Sequence, residues 1–245
     1  MLDNMAVMVP IVMLAALVRG FSGFGFAAIA VIGMNLFFTP QQSVPVILSL
    51  DLLCSVNLWK QARQQANYPI LKKLIAGSLI GIPLGLGLLL LLPAELLKLA
   101  ICLFILLFSL FLACNMRLPH MDKPSAPGLF GFLSGAGTAS ASVGGPMVVV
   151  YMLSSPLNPQ QQRATMILFF IVSELLSVGG LLATGIFSWQ SLSHIAVLLI
   201  PTMLAVRLGQ YLFNRWPPRS FKHIALPVMI TVAFLGINAS LDGVY

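Results

Sequence analysis

The chain has 245 residues, 59% of them hydrophobic and only 8% charged, with a mean hydropathy of +0.99 and a formal net charge of +7. A soluble globular domain carries roughly a quarter charged residues, so that class is excluded, and apolar runs of about 20 residues point to a polytopic helical membrane protein rather than a barrel of alternating strands. The positive charge reads as loop charge that sets orientation, not as a nucleic-acid footprint.

Along the chain, the first apolar segment covers 5–38 and is interrupted by "RGFSGFGFAAIAV", residues 19–31, which sets an arginine beside three glycines and a serine. Segments at 43–59, 74–92 and 95–114 follow. The third carries Gly77, Gly81 and Gly85 at four-residue spacing, a small-residue ridge suited to close helix packing. A polar, Pro-rich stretch, "RLPHMDKPSAPG" at 117–128, precedes four more segments at 129–155, 164–184, 194–213 and 223–241. The fifth segment holds a second run of small residues, "GAGTASASVGGP" at 135–146. Cys54, Cys102 and Cys114 read as small hydrophobes, and His120, His194 and His223 show no ligand spacing. The sequence therefore calls for no metal and no cofactor.

The two sets of four segments resemble each other in order. "GFSGFG" at 20–25 matches "GFLSGAG" at 131–137, "TPQQ" at 39–42 matches "NPQQ" at 158–161, and "DLLCSV" at 51–56 matches "ELLSV" at 174–178. Gly85 precedes Pro93 as Gly209 precedes Pro217, eight residues in each case. Matches kept in sequence order indicate an internal duplication. The expected organisation is a first repeat over 1–116, a cytoplasmic linker over 117–128 and a second repeat over 129–245.

Loop charge separates two topologies. Eight single crossings scatter Lys and Arg evenly between the two sides. If the first segment of each half instead dips into the bilayer and returns, Lys60, Arg63, Lys72, Lys73, Arg117, Lys123, Arg163, Arg215, Arg219 and Lys222 fall inside and only Lys98 falls outside. The positive-inside rule favours the second arrangement. The expected fold is thus an all-α polytopic membrane protein of two inverted repeats, each with one re-entrant broken helix and three transmembrane helices, with both termini outside. Such repeats are related by a pseudo-two-fold axis in the membrane plane.

A turn inside the bilayer exposes backbone polar groups, which is tolerable only within protein or beside a wet cavity, and glycine permits the bend. Residues 5–18 are expected to descend and 24–38 to return, with the second bend at 135–146 and Pro146 in the first turn of its returning helix. Each returning half-helix presents unpaired N–H groups and the positive end of its dipole near mid-membrane, where anions are attracted. The candidate substrate-binding residues are Arg19, Ser22, Gly23, Gly25, Ser134, Gly135, Thr138, Ser142 and Gly145, with Arg207 adding charge from the side. Arg19 has a plainer reading, a helix-end arginine snorkelling to the interface. Asp51 and Glu174 hold comparable places in the two halves, and two roles stand open for them: an ion pair with Arg19 or Arg207, or proton-coupling carboxylates.

With these motifs, the paired glycine-rich bends, the "TPQQ" and "NPQQ" turns and the Gly-to-Pro spacing, the sequence resembles the TauE/SafE family of sulfite exporters over most of its length. The family pattern has a Gly-rich run ending in Pro at the first bend as well, where this chain has "FGFAAIAV". The resemblance implies transport of sulfite, sulfonates or related sulfur oxyanions across a cell membrane, here a bacterial inner membrane. The residues themselves support a small anion as partner, with membrane lipid, no nucleic acid and room for a homodimer. A divalent anion leaving a negative interior gains about twice 2.3 kcal/mol per 100 mV, so export needs no coupling ion, whereas uptake would call on Asp51 and Glu174 with protons or sodium. An anion channel on the same scaffold and coupled uptake are the alternatives. An enzyme would need convergent His, Cys or paired carboxylates and ranks last.

Overall fold

The computed structural model describes residues 2–113 and 125–216, and among these every regular element is a helix. The order is α1 (Leu2–Ser22), α2 (Phe26–Asn35), α3 (Pro40–Asn57), α4 (Trp59–Gln65), α5 (Tyr68–Leu91), α6 (Ala94–Ala113), α7 (Ala126–Ala141), α8 (Gly145–Ser154), α9 (Pro159–Ala183) and α10 (Trp189–Arg215). The expected segment 223–241, most of the linker, and Cys114, Arg117, His120, Lys123, Pro217, Arg219, Lys222 and His223 lie outside the described residues.

Helix starts follow local rules. The repeated "TPQQ" and "NPQQ" turns open α3 and α9. Asn158 Oδ1 accepts from the amide of Gln161 at 2.9 Å, Gln42 reaches back to the amide of Thr39 at 3.3 Å, and a proline follows each cap. A polar cap that takes one orphan N–H, followed by a proline that has none to lose, is a strong start signal. Asn67 caps α5 in the same way, and Ser188 caps α10 without a following proline.

Three helices, α5, α9 and α10, are long and apolar enough to cross a membrane, and α3 with α4 makes a fourth if their 65° bend lies within one span. The first segment is longer before its break than expected. α1 has 21 residues, about 31 Å of helix, against the expected run of fourteen. The second bend is shorter than expected, because "GAGTASA" is the last part of α7 and only residues 142–144 are irregular. The linker also ends earlier, since Ala126, Pro127 and Gly128 already belong to α7.

After each break the chain folds back beside the helix it has left. A Cβ on Gly33 of α2 would lie 2.6 Å from Ile11 of α1, and the rings of Phe130 on α7 and Tyr151 on α8 are 5.6 Å apart. The helix before each break packs on a long helix distant in sequence, α1 on α10 and α7 on α5. Along α5 and α7, a Cβ on Gly77, Gly81 or Gly85 would come within about 2 Å of the carbonyls of Gly128, Phe132 and Ala136. Gly20 of α1 and Gly209 of α10 make the same approach to Val206 and Leu17. Backbones this close gain dispersion and weak Cα–H···O contacts that a larger side chain would forbid. α3 and α9 meet between these two pairs, and they carry the buried carboxylates Asp51 and Glu174.

Two loop-charge assignments change. Arg163 lies one turn inside α9 and is buried, and Lys98 lies in the second turn of α6, also buried. Lys60, Arg63, Lys72, Lys73 and Arg215 are exposed.

Candidate functional site

Between the two breaks lies a small cavity lined from α1 by Arg19, from the first break and α2 by Phe24, Gly25, Ala27 and Ala28, and from α3 by Leu48 and Asp51. Thr138, Ser142, Gly145 and Pro146 contribute from the second break and its helices, and Phe170 and Glu174 from α9. The first turns of α2 and α8 therefore open onto the same space. Their leading amides have no partner within the helix and carry the positive dipole ends.

Arg19 is the hub. It is fully buried beneath the ring of Phe170, whose centroid lies 4.6 Å from the guanidinium carbon. Nη1 donates to the carbonyl of Gly23 at 3.0 Å and so ties the arginine to its own break. Nη2 donates to Glu174 Oε1 at 3.1 Å and to the hydroxyl of Ser55. Nε stands 3.0 Å from Asp51 Oδ1. The ion-pair reading of both carboxylates is thus present in the geometry, with Arg19 as the shared cation, and the snorkelling reading of Arg19 is not. Glu174 Oε2 lies 2.9 Å from the Ser55 hydroxyl, whose single proton is shared with the main-chain carbonyl of Asp51 at 2.8 Å.

Three polar atoms on this cavity are buried without a hydrogen-bond partner: Arg19 Nε, Asp51 Oδ1 and Ser142 Oγ. The first two are close, but the N–H does not point at the oxygen. An unpartnered buried polar group is costly, and here the three face one volume. That volume is about 20 Å³, room for about one water and too little for a four-atom oxyanion. In this conformation the space is too small to hold the anion. A second cavity of about 260 Å³ lies beside α6, but its walls are almost all carbon.

The remaining candidates are placed elsewhere. Ser22 Oγ lies 2.7 Å from the carbonyls of both Val18 and Phe24 and donates its one proton between them, and Ser134 donates to that of Gly144 at 2.8 Å, so both hydroxyls hold the breaks together. Gly23 faces Arg163, and a Cβ on Gly135 would meet Ser78 of α5 at 2.8 Å. Arg207 is exposed and does not line the cavity, because α10 turns Val206 and Gly209 towards α1. Conversely, three participants escaped the sequence reading. Ser55 follows Asp51 by one turn, and Phe170 precedes Glu174 by one turn, so helical spacing around each carboxylate places both on the right face. Arg163 gave no such signal. Its Nη2 donates to the carbonyl of Gly20 at 2.7 Å and its Nε to that of Phe21 at 3.3 Å, while its guanidinium lies 4.1 Å from the ring centre of Phe213.

The described residues are all helical, with three or four apolar spans, as in a multi-pass membrane protein, and three of the buried charges meet in a cavity between two helix breaks. The family described as sulfite exporter TauE/SafE matches residues 8–235, and the chain belongs to that family. No curated protein and no solved structure matches it.

Proposed function

We propose that the chain is a secondary transporter of small oxyanions and exports sulfite or organosulfonates across the cell membrane. The observation that supports this most is the convergence of two half-helix N-termini on one buried arginine, beside an unpartnered hydroxyl. Oriented amides, a guanidinium and a hydroxyl are the donors a tetrahedral or pyramidal oxyanion needs. In this reading Arg19, Gly25, Thr138, Ser142 and Gly145 contact the anion, while Ser22, Gly23, Ser134 and Gly135 shape the breaks. The halves are inverted repeats with re-entrant hairpins, and rocking of one half against the other alternates access. A carrier passes through an occluded state, whereas a channel needs a continuous wet path, and saturable counterflow separates the two.

Counterflow in proteoliposomes against a panel of sulfite, thiosulfate, sulfonates and sulfate tests the reading. Saturable counterflow of at least one sulfur oxyanion is expected. Arg19→Ala should lower it more than a hundredfold with membrane insertion intact, and Arg19→Lys, which keeps the charge without the fork of donors, should fall between. Undiminished sulfite flux in Arg19→Ala would remove the assignment.

A further inference from the structure

The cavity holds one cation and two carboxylates, and the two carboxylates are not held alike. Glu174 accepts from Arg19 Nη2 with one oxygen and lies within reach of the Ser55 hydroxyl with the other. Asp51 presents Oδ1 to Arg19 Nε across 3.0 Å with no aligned hydrogen bond, and both atoms are buried on the cavity. Asp51 Oδ1 and Arg19 Nε are therefore the least committed pair of the cluster.

We infer that Asp51 is the proton carrier of the transport cycle, so that each anion is loaded together with one proton, while Glu174 stays ionised and anchors Arg19. The inference rests on the cavity being the anion site. An anion that approaches Arg19 Nε arrives beside the Asp51 carboxylate, and two like charges at that range in a water-poor cavity repel. A proton from solution on Asp51 removes the repulsion, frees Nε for the anion and supplies an O–H that donates to it. The empty site, with Arg19 positive and both carboxylates ionised, has a formal charge of −1. The site loaded with a monoanion and a proton has the same charge. For a monoanion the cycle then moves no net charge, and direction follows the anion and proton gradients rather than the membrane potential.

Among the described residues the one rival for the role is Glu174, whose carboxyl lies within hydrogen-bonding reach of Asp51. Arg19 of α1 and Glu174 of α9 are the charged groups that act on Asp51. Its own helix adds only the buried thiol of Cys54. The cavity residues of α2, α7 and α8 are uncharged. On the remaining neighbours, Lys98 lies beside Glu95, His194 packs on Phe38, Arg163 holds the end of α1, and Lys60, Arg63, Lys72, Lys73, Arg207 and Arg215 are exposed.

The experiment is binding of methanesulfonate and sulfite to the purified full chain in weakly buffered alkaline solution, with a pH dye counting protons. Methanesulfonate stays a monoanion and brings no proton of its own. One proton should be taken up per anion bound, and the apparent affinity for methanesulfonate should fall about tenfold per pH unit. Asp51→Asn should take up none and bind with an affinity that no longer follows pH, whereas Glu174→Gln should bind more weakly and keep the uptake. Methanesulfonate binding by the unmutated chain without proton uptake, or methanesulfonate-linked uptake that persists in Asp51→Asn, overturns the inference and leaves the anion site standing. Failure of either anion to bind at any pH takes the anion site down with it.

Discussion

The two helix breaks do the same job with different residues. At the first, Gly23 and Gly25 have φ of +82° and +96°, and the end of α1 is held from outside by Arg163 on α9. At the second, the one left-handed residue is a serine, Ser142, with φ of +59°, and the turn is held from within, by Ser134 on the carbonyl of Gly144. The first break brings the charge and relies on glycine to turn. The second brings hydroxyls and turns in spite of them. Backbone freedom at one break and close packing at the other are thus alternative ways to bend a chain, and they fail under different substitutions.

The sharpest contrast is between glycines. Gly144 has an ordinary right-handed φ of −66°, yet a Cβ there would lie 2.0 Å from Thr138 Oγ1 and 2.2 Å from the Ser134 carbonyl. Gly25 meets only a methyl of Val18 at 3.3 Å, and its cost is conformational. Gly144→Ala should destabilise by about 3 kcal/mol, the upper end for overpacking, and Gly25→Ala by about 1–2 kcal/mol, the left-handed penalty. Unfolding midpoints in one detergent give the order. A reversed order would mean that the second break yields more readily than its packing implies.

Arg163→Ala tests the outside support. It removes two charge-assisted bonds from carbonyls at a negative helix end, which is about 2 kcal/mol. The effect should be local. Hydrogen exchange should speed up around residues 20–25 and stay unchanged around 142–146. Equal loosening of both breaks would mean that they are not supported separately.

These placements were unevenly legible in the sequence. The two interruptions, the caps behind "TPQQ" and "NPQQ", and the ridge of Gly77, Gly81 and Gly85 follow from local chemistry and could be read directly. The extent of the second break could not. "GAGTASA" has the composition of a flexible turn, but Gly135 is small because α5 lies against it, and small residues look alike whether they serve bending or packing. Arg19 was expected at the site and Arg207 to add charge from the side, but only Arg19 lines the cavity. Which one faces inward depends on the phase of each helix against its neighbour, here fixed by the approach of Gly209 to Leu17. Arg163 read as a loop charge because its partners are backbone carbonyls far along the chain, which leave no mark on the residues around it. The pairing of Asp51 and Glu174 was half visible: the repeat put them in corresponding places, but their sharing of Arg19 needs α1, α3 and α9 to converge.

Ser142 is where the smallest effect carries the most information. A serine in the left-handed region costs about 1 kcal/mol relative to glycine, and its hydroxyl, though buried, has no partner. Nothing in the fold is gained by this arrangement, since glycine would turn the chain with less strain and leave no unpaired donor. Ser142→Gly should therefore raise stability by about 1 kcal/mol, while loss of a hydroxyl contact should weaken anion binding by about 1 kcal/mol, roughly fivefold. Opposite signs in the two measurements would mark a residue retained for its ligand at the expense of the fold. A substitution that stabilises the chain and leaves anion affinity unchanged would instead place the oxyanion against Arg19 and the first break alone, and the comparison between the two breaks would become one between a binding turn and a structural one.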